Sequence, residues 1–114
     1  MSVQEATALL VAALRESGEH ADYVHAKELA LQNETTRGLY LQFRQLQLRL
    51  QAETLAGRQR EDLQQQYRRL YELLLFDEPA SALLLAEHRI QALLGEVYKT
   101  LAQAVDISLD MLEE

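Results

Sequence analysis

Cysteine is absent from the 114 residues, and tryptophan with it. Disulfides, thiolate metal sites, iron–sulfur clusters held by cysteine and cysteine nucleophiles are therefore excluded. Proline occurs once and glycine four times, which leaves too few breakers for the many turns of a β-protein and fits long helices. Strand formers are scarce too, with five Val and two Ile. No apolar run reaches membrane-spanning length, and the opening Met1-Ser2-Val3-Gln4-Glu5 has no basic start, so the sequence predicts a cytoplasmic protein without a signal peptide or a membrane span.

What fills the chain instead is Leu, Ala, Gln, Glu and Arg, whose side chains lose little freedom in a helix. At 13.1 kDa the expectation is a single all-helical domain over residues 1–114 with a modest core. Net charge is −7, which argues against nucleic acid as the main partner. Its distribution is uneven. Residues 1–36 hold two basic and six acidic groups, residues 37–69 seven Arg and three acids, and residues 70–114 two basic and nine acidic groups. A basic middle thus lies between acidic ends, and its arginines either pair with acids or present a patch to an anionic partner.

Ser2 with Glu5 three residues later has the form of a capping box, and Val3, Ala6, Leu10 and Ala13 follow at helical spacing up to Ser17-Gly18. A second helix starts near Glu19, with Tyr23, Ala26 and Leu29 or Ala30 on one face, and loses its pattern at Asn33, a residue suited to capping the next helix. Gly57 separates a third helix, from Glu34 to about Ala56, from a fourth with Leu63, Tyr67, Leu70 and Leu74 at 4-3-4 spacing. Asp77-Glu78-Pro79 marks the start of a fifth, whose stripe is Leu83, Ile90, Leu94, Val97, Leu101, Val105, Ser108 and Leu112. About 30 residues at about 1.5 Å each make a rod of about 45 Å, longer than a compact monomer of this size needs. Gly95 in its middle either permits a close helix approach or is a tolerated cost.

The third helix has two apolar sides. Leu39, Phe43, Leu46 and Leu50 cluster on one, in the spacing of a heptad seam, and Leu41, Leu48 and Leu55 lie roughly opposite. One side can cover the chain's own core, and the other is most simply covered by a second copy. The expected architecture is an antiparallel hairpin of helices three and four with helix five packed along it. Self-association is assigned to Leu41, Leu48 and Leu55, with Val105, Leu109 and Leu112 as a second patch.

Chemistry is hard to find. His20, His25 and His88 do not form the paired spacings of metal sites, and His25 with Glu28 offers two ligands where a metal wants at least three. The serines suit caps, no Gly-x-Ser-x-Gly elbow is present, and the isolated glycines cannot cradle a phosphate. No catalytic, cofactor or metal residue and no small-molecule substrate is assigned. Arg37, Arg44, Arg49, Arg58, Arg60, Arg68 and Arg69 share a segment with Tyr40, Phe43, Tyr67 and Tyr71, which makes RNA binding by an Arg-rich hairpin the alternative function. Phe43 and Tyr67 fall in the seams, however, where they serve the core rather than stack on bases.

The stretch Phe43-Arg44-x-x-Gln47-Leu48-Arg49-Leu50-Gln51 followed by Ala56-Gly57, the stretch Ala86-Glu87-x-Arg89-Ile90 with Leu94-Gly95-Glu96-Val97, and the helix starts at Glu16-Ser17-Gly18-Glu19 and Asn33-Glu34 together resemble the YlbF/YmcA family, and within it the YheA-like branch. The resemblance implies an all-helical protein that forms dimers or larger assemblies in the cytoplasm of Gram-positive bacteria. It also implies a regulatory adaptor, whose better-known relatives join complexes that influence messenger RNA processing, competence, sporulation and biofilm formation. Two of those relatives hold iron–sulfur clusters through cysteine, a property that cannot extend to this cysteine-free chain.

Overall fold

A computed structural model describes residues 1–106. It holds five helices, with no strand among the described residues: α1 (Val3–Arg15), α2 (Gly18–Gln32), α3 (Glu34–Leu55), α4 (Glu61–Phe76) and α5 (Glu78–Ala104). Two compact units divide the chain. One comprises His25–Leu84, and the other combines Met1–Val24 with the chain from Leu85 onward.

Each helix boundary has a local cause. The Ser2 hydroxyl accepts from the Glu5 amide at 3.1 Å and donates to the Glu5 carboxylate at 3.1 Å, so Ser2 caps α1. Ser17 joins two helices: its hydroxyl donates to the Leu14 carbonyl at 2.6 Å, at the end of α1, and accepts from the His20 amide at 3.2 Å, at the start of α2. Asn33 has extended backbone (φ −88°, ψ 116°) and its side chain accepts from the Thr36 amide at 3.0 Å. Helices α2 and α3 are thus separate elements. At the end of α3, Gly57 takes φ +77°; its amide donates to Thr54 and that of Arg58 to Glu53, the two reversed bonds of a Schellman stop, which glycine meets without a Cβ penalty.

The unit at residues 25–84 is built on the α3/α4 hairpin. Phe43, Leu74 and Ala80 form its buried cluster, with Leu39, Tyr67, Leu70 and Leu84 packed against it. This is the seam expected from the 4-3-4 spacings of both helices, and the first turns of α5 contribute Ala80 and Leu84. The rings of Phe43 and Tyr67 stack with centroids 5.0 Å apart, and Tyr71 lies 6.0 Å from Phe43.

One polar contact sits among these apolar groups. Thr36 is fully buried, and its hydroxyl donates to Asp77 Oδ2 at 2.7 Å. The same oxygen accepts from the Ala80 amide at 3.1 Å, so Asp77 caps α5 while tying the first turn of α3 to the α4/α5 joint. Pro79 lies in the first turn of α5, where its missing N–H has no helical partner to lose.

In the second unit, α1 has no buried residue; Leu10 and Leu14 are half-buried, while Val3 and Leu9 are 79% and 60% exposed. Buried side chains on the α5 portion are Ala86, Glu87 and Ala102. Helix α5 closes at Ala104, and Asp106 adopts φ +60°. Val105 still donates to the Leu101 carbonyl at 3.2 Å but lies in the closing turn. The observed 27 residues make a rod of about 40 Å at about 1.5 Å per residue. Ser108, Leu109 and Leu112 lie outside the described residues.

Candidate interaction surfaces

The outer side of α3 is bare. Leu41, Leu48 and Leu55 are 50%, 66% and 89% exposed, while Phe43 on the opposite side is buried. At about 100° per residue the three leucines fall within about 40° of one another, and Gly38, Gln45 and Ala52, each three residues before one of them, lie along one edge of the stripe. A Cβ built on Gly38 would meet open space.

A second bare stripe lies on α5, where sequence reasoning named only Val105 among the described residues. Ala80, Leu83 and Glu87 are buried, but Leu94, Tyr98, Leu101 and Val105 on the same face are each about half exposed or more. One helix face therefore changes from covered to uncovered part-way along its length. Further unassigned apolar side chains, Leu73 and Phe76, stand out at the end of α4, Phe76 with 92% of its surface open.

The seven arginines divide by local pairing. Arg44 lies over the Tyr40 ring with 5.0 Å between guanidinium and centroid, donates to the Tyr40 hydroxyl at 2.9 Å and to Gln47 at 2.6 Å. Arg58 pairs with Glu53 at 2.5 Å, and Arg60 with Asp62 at 3.0 Å. The hydrogen bond from Arg58, aided by the charges of Arg58, Arg60 and Arg49, holds the Glu53 carboxyl below its ordinary range. The hydrogen bond from Arg60 does the same for Asp62. These solvent-exposed pairs add little to stability, yet they consume two of the cations. The side chains of Arg37, Arg49, Arg68 and Arg69 make no hydrogen bond or close ion pair among the described residues, although the Arg49 charge acts on Glu53.

Two concavities flank the hairpin. A shallow groove of about 550 Å³ is lined by Leu46, Leu70 and Leu73 together with Arg49 and Arg69. On the other flank a smaller apolar pit of about 420 Å³ is framed by Leu50, Gln51, Thr54, Leu55 and Tyr67. Neither brings together a nucleophile with a base or a set of metal ligands. Among the described residues no three His, Asp or Glu side chains converge on a point.

With this geometry in view, a family model described as "Control of competence regulator ComK, YlbF/YmcA" matches residues 3–106. The chain belongs to the YlbF/YmcA family. Within reach of this YlbF/YmcA chain are a UPF0342 protein of Symbiobacterium thermophilum, 35% identical over 88% of this chain and 90% of its own length, and a UPF0342 protein of Desulfitobacterium hafniense, 31% identical over 92% of this chain and 86% of its own. A solved structure, a protein of unknown function (DUF964) from Bacillus stearothermophilus, superimposes with a TM-score of 0.84 over 91% of this chain and 92% of the other at 21% identity. That likeness shows the all-helical fold. The family's description concerns control of a competence regulator.

Proposed function

We propose that this YlbF/YmcA protein is a non-enzymatic, self-associating adaptor that works through helix-to-helix contacts with copies of itself and with other proteins. The observation that carries the reading is the placement of its large apolar side chains. Among the described residues only Phe43, Leu63, Leu74 and Leu83 are both large and buried, whereas Leu41, Leu48, Leu55, Leu94, Tyr98, Leu101 and Val105 stand open in two stripes. Burying one such side chain fully yields about 1.5–3 kcal/mol, and stripes with helical period are suited to helical partners. The family description supports a regulatory role, and the resemblance noted from the motifs extends it to RNA-processing or developmental complexes and to the YheA-like branch. A cytoplasmic site of action accords with the finding that no described helix is long and apolar enough to cross a membrane.

Leu48→Glu tests the reading. Leu48 is 66% exposed in the single chain, so the monomer accepts a carboxylate there, but an interface does not, because an unpaired buried charge costs several kcal/mol. Light scattering after size exclusion should give a multiple of 13.1 kDa for the unaltered protein and a helical monomer for the variant. A variant of unchanged mass would remove the assignment of this stripe, and an unaltered protein that is monomeric at all concentrations would remove self-association.

The alternative, RNA binding, draws its support from Arg37, Arg68 and Arg69, whose side chains have no hydrogen-bond or ion-pair partner among the described residues, and from Arg49, which acts on Glu53 only through its charge. Against it, Phe43, Tyr67 and Tyr71 are engaged with one another and so are poorly placed to stack on bases. Absence of binding to a single-stranded RNA oligonucleotide at low salt would end it.

A further inference from the structure

The self-association reading leaves open which way two chains would run, and the outer face of α3 carries a preference. We propose that the Leu41/Leu48/Leu55 stripes of two copies pair antiparallel about a twofold axis at Leu48; the proposal rests on the self-association reading. Three features of the face lead there.

The first is spacing. Leucines exactly seven residues apart on either side of Leu48 form rungs in an antiparallel pair centred there: Leu48 meets Leu48 of the second copy, and Leu41 meets Leu55 at both ends. This is the self-complementarity that an isologous contact requires. A seven-residue repeat also specifies a helix as the occupant, since only a helix returns to the same side at that interval.

The second is charge. Arg37 and Arg44 both border the stripe in the N-terminal half of α3. Its C-terminal half borders the stripe with Gln51 and Ala52, which are uncharged, while Arg49 and Thr54 lie about 100° round the helix and Glu53 is already taken by Arg58. A parallel pair would set Arg37 level with Arg37 and Arg44 level with Arg44. An antiparallel pair centred on Leu48 sets the two Arg44 about 12 Å apart along the axis and brings Arg37 near Arg58 of the second copy, which Glu53 already neutralises, so the like-charge opposition is eased.

The third is the shape of the flanks. A twofold axis perpendicular to the helices keeps each flank on the same side in both copies. Arg44, on the flank shared with Gln51, then lies within about 1.5 Å along the axis of Gln51 of the second copy, an amide that can accept from its guanidinium. The apolar pit beside Gln51, Leu55 and Tyr67 lies on that flank too and becomes covered by the Tyr40/Arg44 stack. On the opposite flank Gln45 rests over the small Ala52.

The absence of cysteine makes the test direct, because an introduced thiol has only the thiol of another copy to join. Helices packed about 8–10 Å apart, with Cα atoms about 2.3 Å from each axis, bring facing Cα atoms to about 4–5 Å, at the short end of disulfide reach. Under mild oxidation Leu48→Cys should give a covalent dimer, and Leu41→Cys mixed with Leu55→Cys should give a mixed dimer that neither yields alone. Gln65→Cys, on an exposed position of α4, sets the background for random collision. If Leu41→Cys and Leu55→Cys each dimerise alone and mixing adds nothing, the pairing is parallel and the proposal falls. If no stripe cysteine exceeds background while light scattering still reports an assembly, the proposal falls and self-association through another surface stands. A monomer by scattering overturns both.

Discussion

Replacing Thr36 by Val asks whether the buried polar contact at the base of the hairpin holds the unit together. The Thr36 hydroxyl donates at 2.7 Å to a carboxylate oxygen of Asp77 from a fully buried position. A hydrogen bond to a charged group contributes about 1.5–3 kcal/mol. Asp77 is only half-buried and keeps the Ala80 amide, so water can take part of the lost bond, and the added methyl regains up to about 0.8 kcal/mol. The expected net loss is about 1–2 kcal/mol, which for a chain of this length lowers the melting midpoint by roughly 3–10 °C. Helical circular dichroism during urea and thermal unfolding, at one fixed protein concentration, measures it. Asp77→Ala should cost more, because it also removes the cap of α5, worth about 1 kcal/mol. The cycle completed by the double variant should show about 1 kcal/mol of coupling. Effects that add to within about 0.3–0.5 kcal/mol would refute the claim that these two side chains stabilise one another.

Gly57→Ala should lower stability by about 1 kcal/mol or more, seen as a lower urea midpoint, since φ is +77° there although a Cβ would meet open space. The depressed carboxyl groups of Glu53 and Asp62 predict a pH effect of definite sign. Their contribution is present above the ordinary carboxylate range and is lost as pH falls through the lowered values, so a titration of the melting midpoint should show a small acid-side decline that Glu53→Gln reduces. High salt should flatten the same decline.

Much of the fold was legible because its punctuation is chemical. Ser2, Asn33, Gly57 and the Asp77-Glu78-Pro79 run each mark a helix end by a hydrogen bond or a backbone angle that only a few residue types supply, and the two 4-3-4 seams of α3 and α4 found each other. Thr36 was missed. It stands three residues before Leu39 and so continues the seam, but a threonine reads as a surface residue until its partner at Asp77, 41 positions away, is known. The pairing of Arg60 with Asp62 was nearer to hand, two residues apart in sequence, and would have thinned the basic patch. The length of the fifth helix pointed to an uncovered far part that included Val105, but how far back the open stripe reaches was not legible, because Leu94 and Leu101 have the same spacing from their neighbours whether their own chain covers them or not.

The composition of the core bears on what such stripes mean energetically. Of the nine buried apolar side chains among the described residues, Ala26, Ala30, Ala80, Ala86 and Ala102 are alanines, and an alanine removes little apolar surface from water. Alanines allow helices to approach closely, but they leave the larger Leu and Tyr side chains of α3 and α5 to find their burial elsewhere. If the α3 stripes pair as proposed, three leucine rungs would contribute burial comparable to that of the four large residues in the core of the single chain. Folding stability would then rise with assembly, since a partner that binds only the folded chain stabilises it by mass action. The thin core and the open stripes would be two consequences of one design, in which each copy leaves part of its apolar surface for another helix to cover.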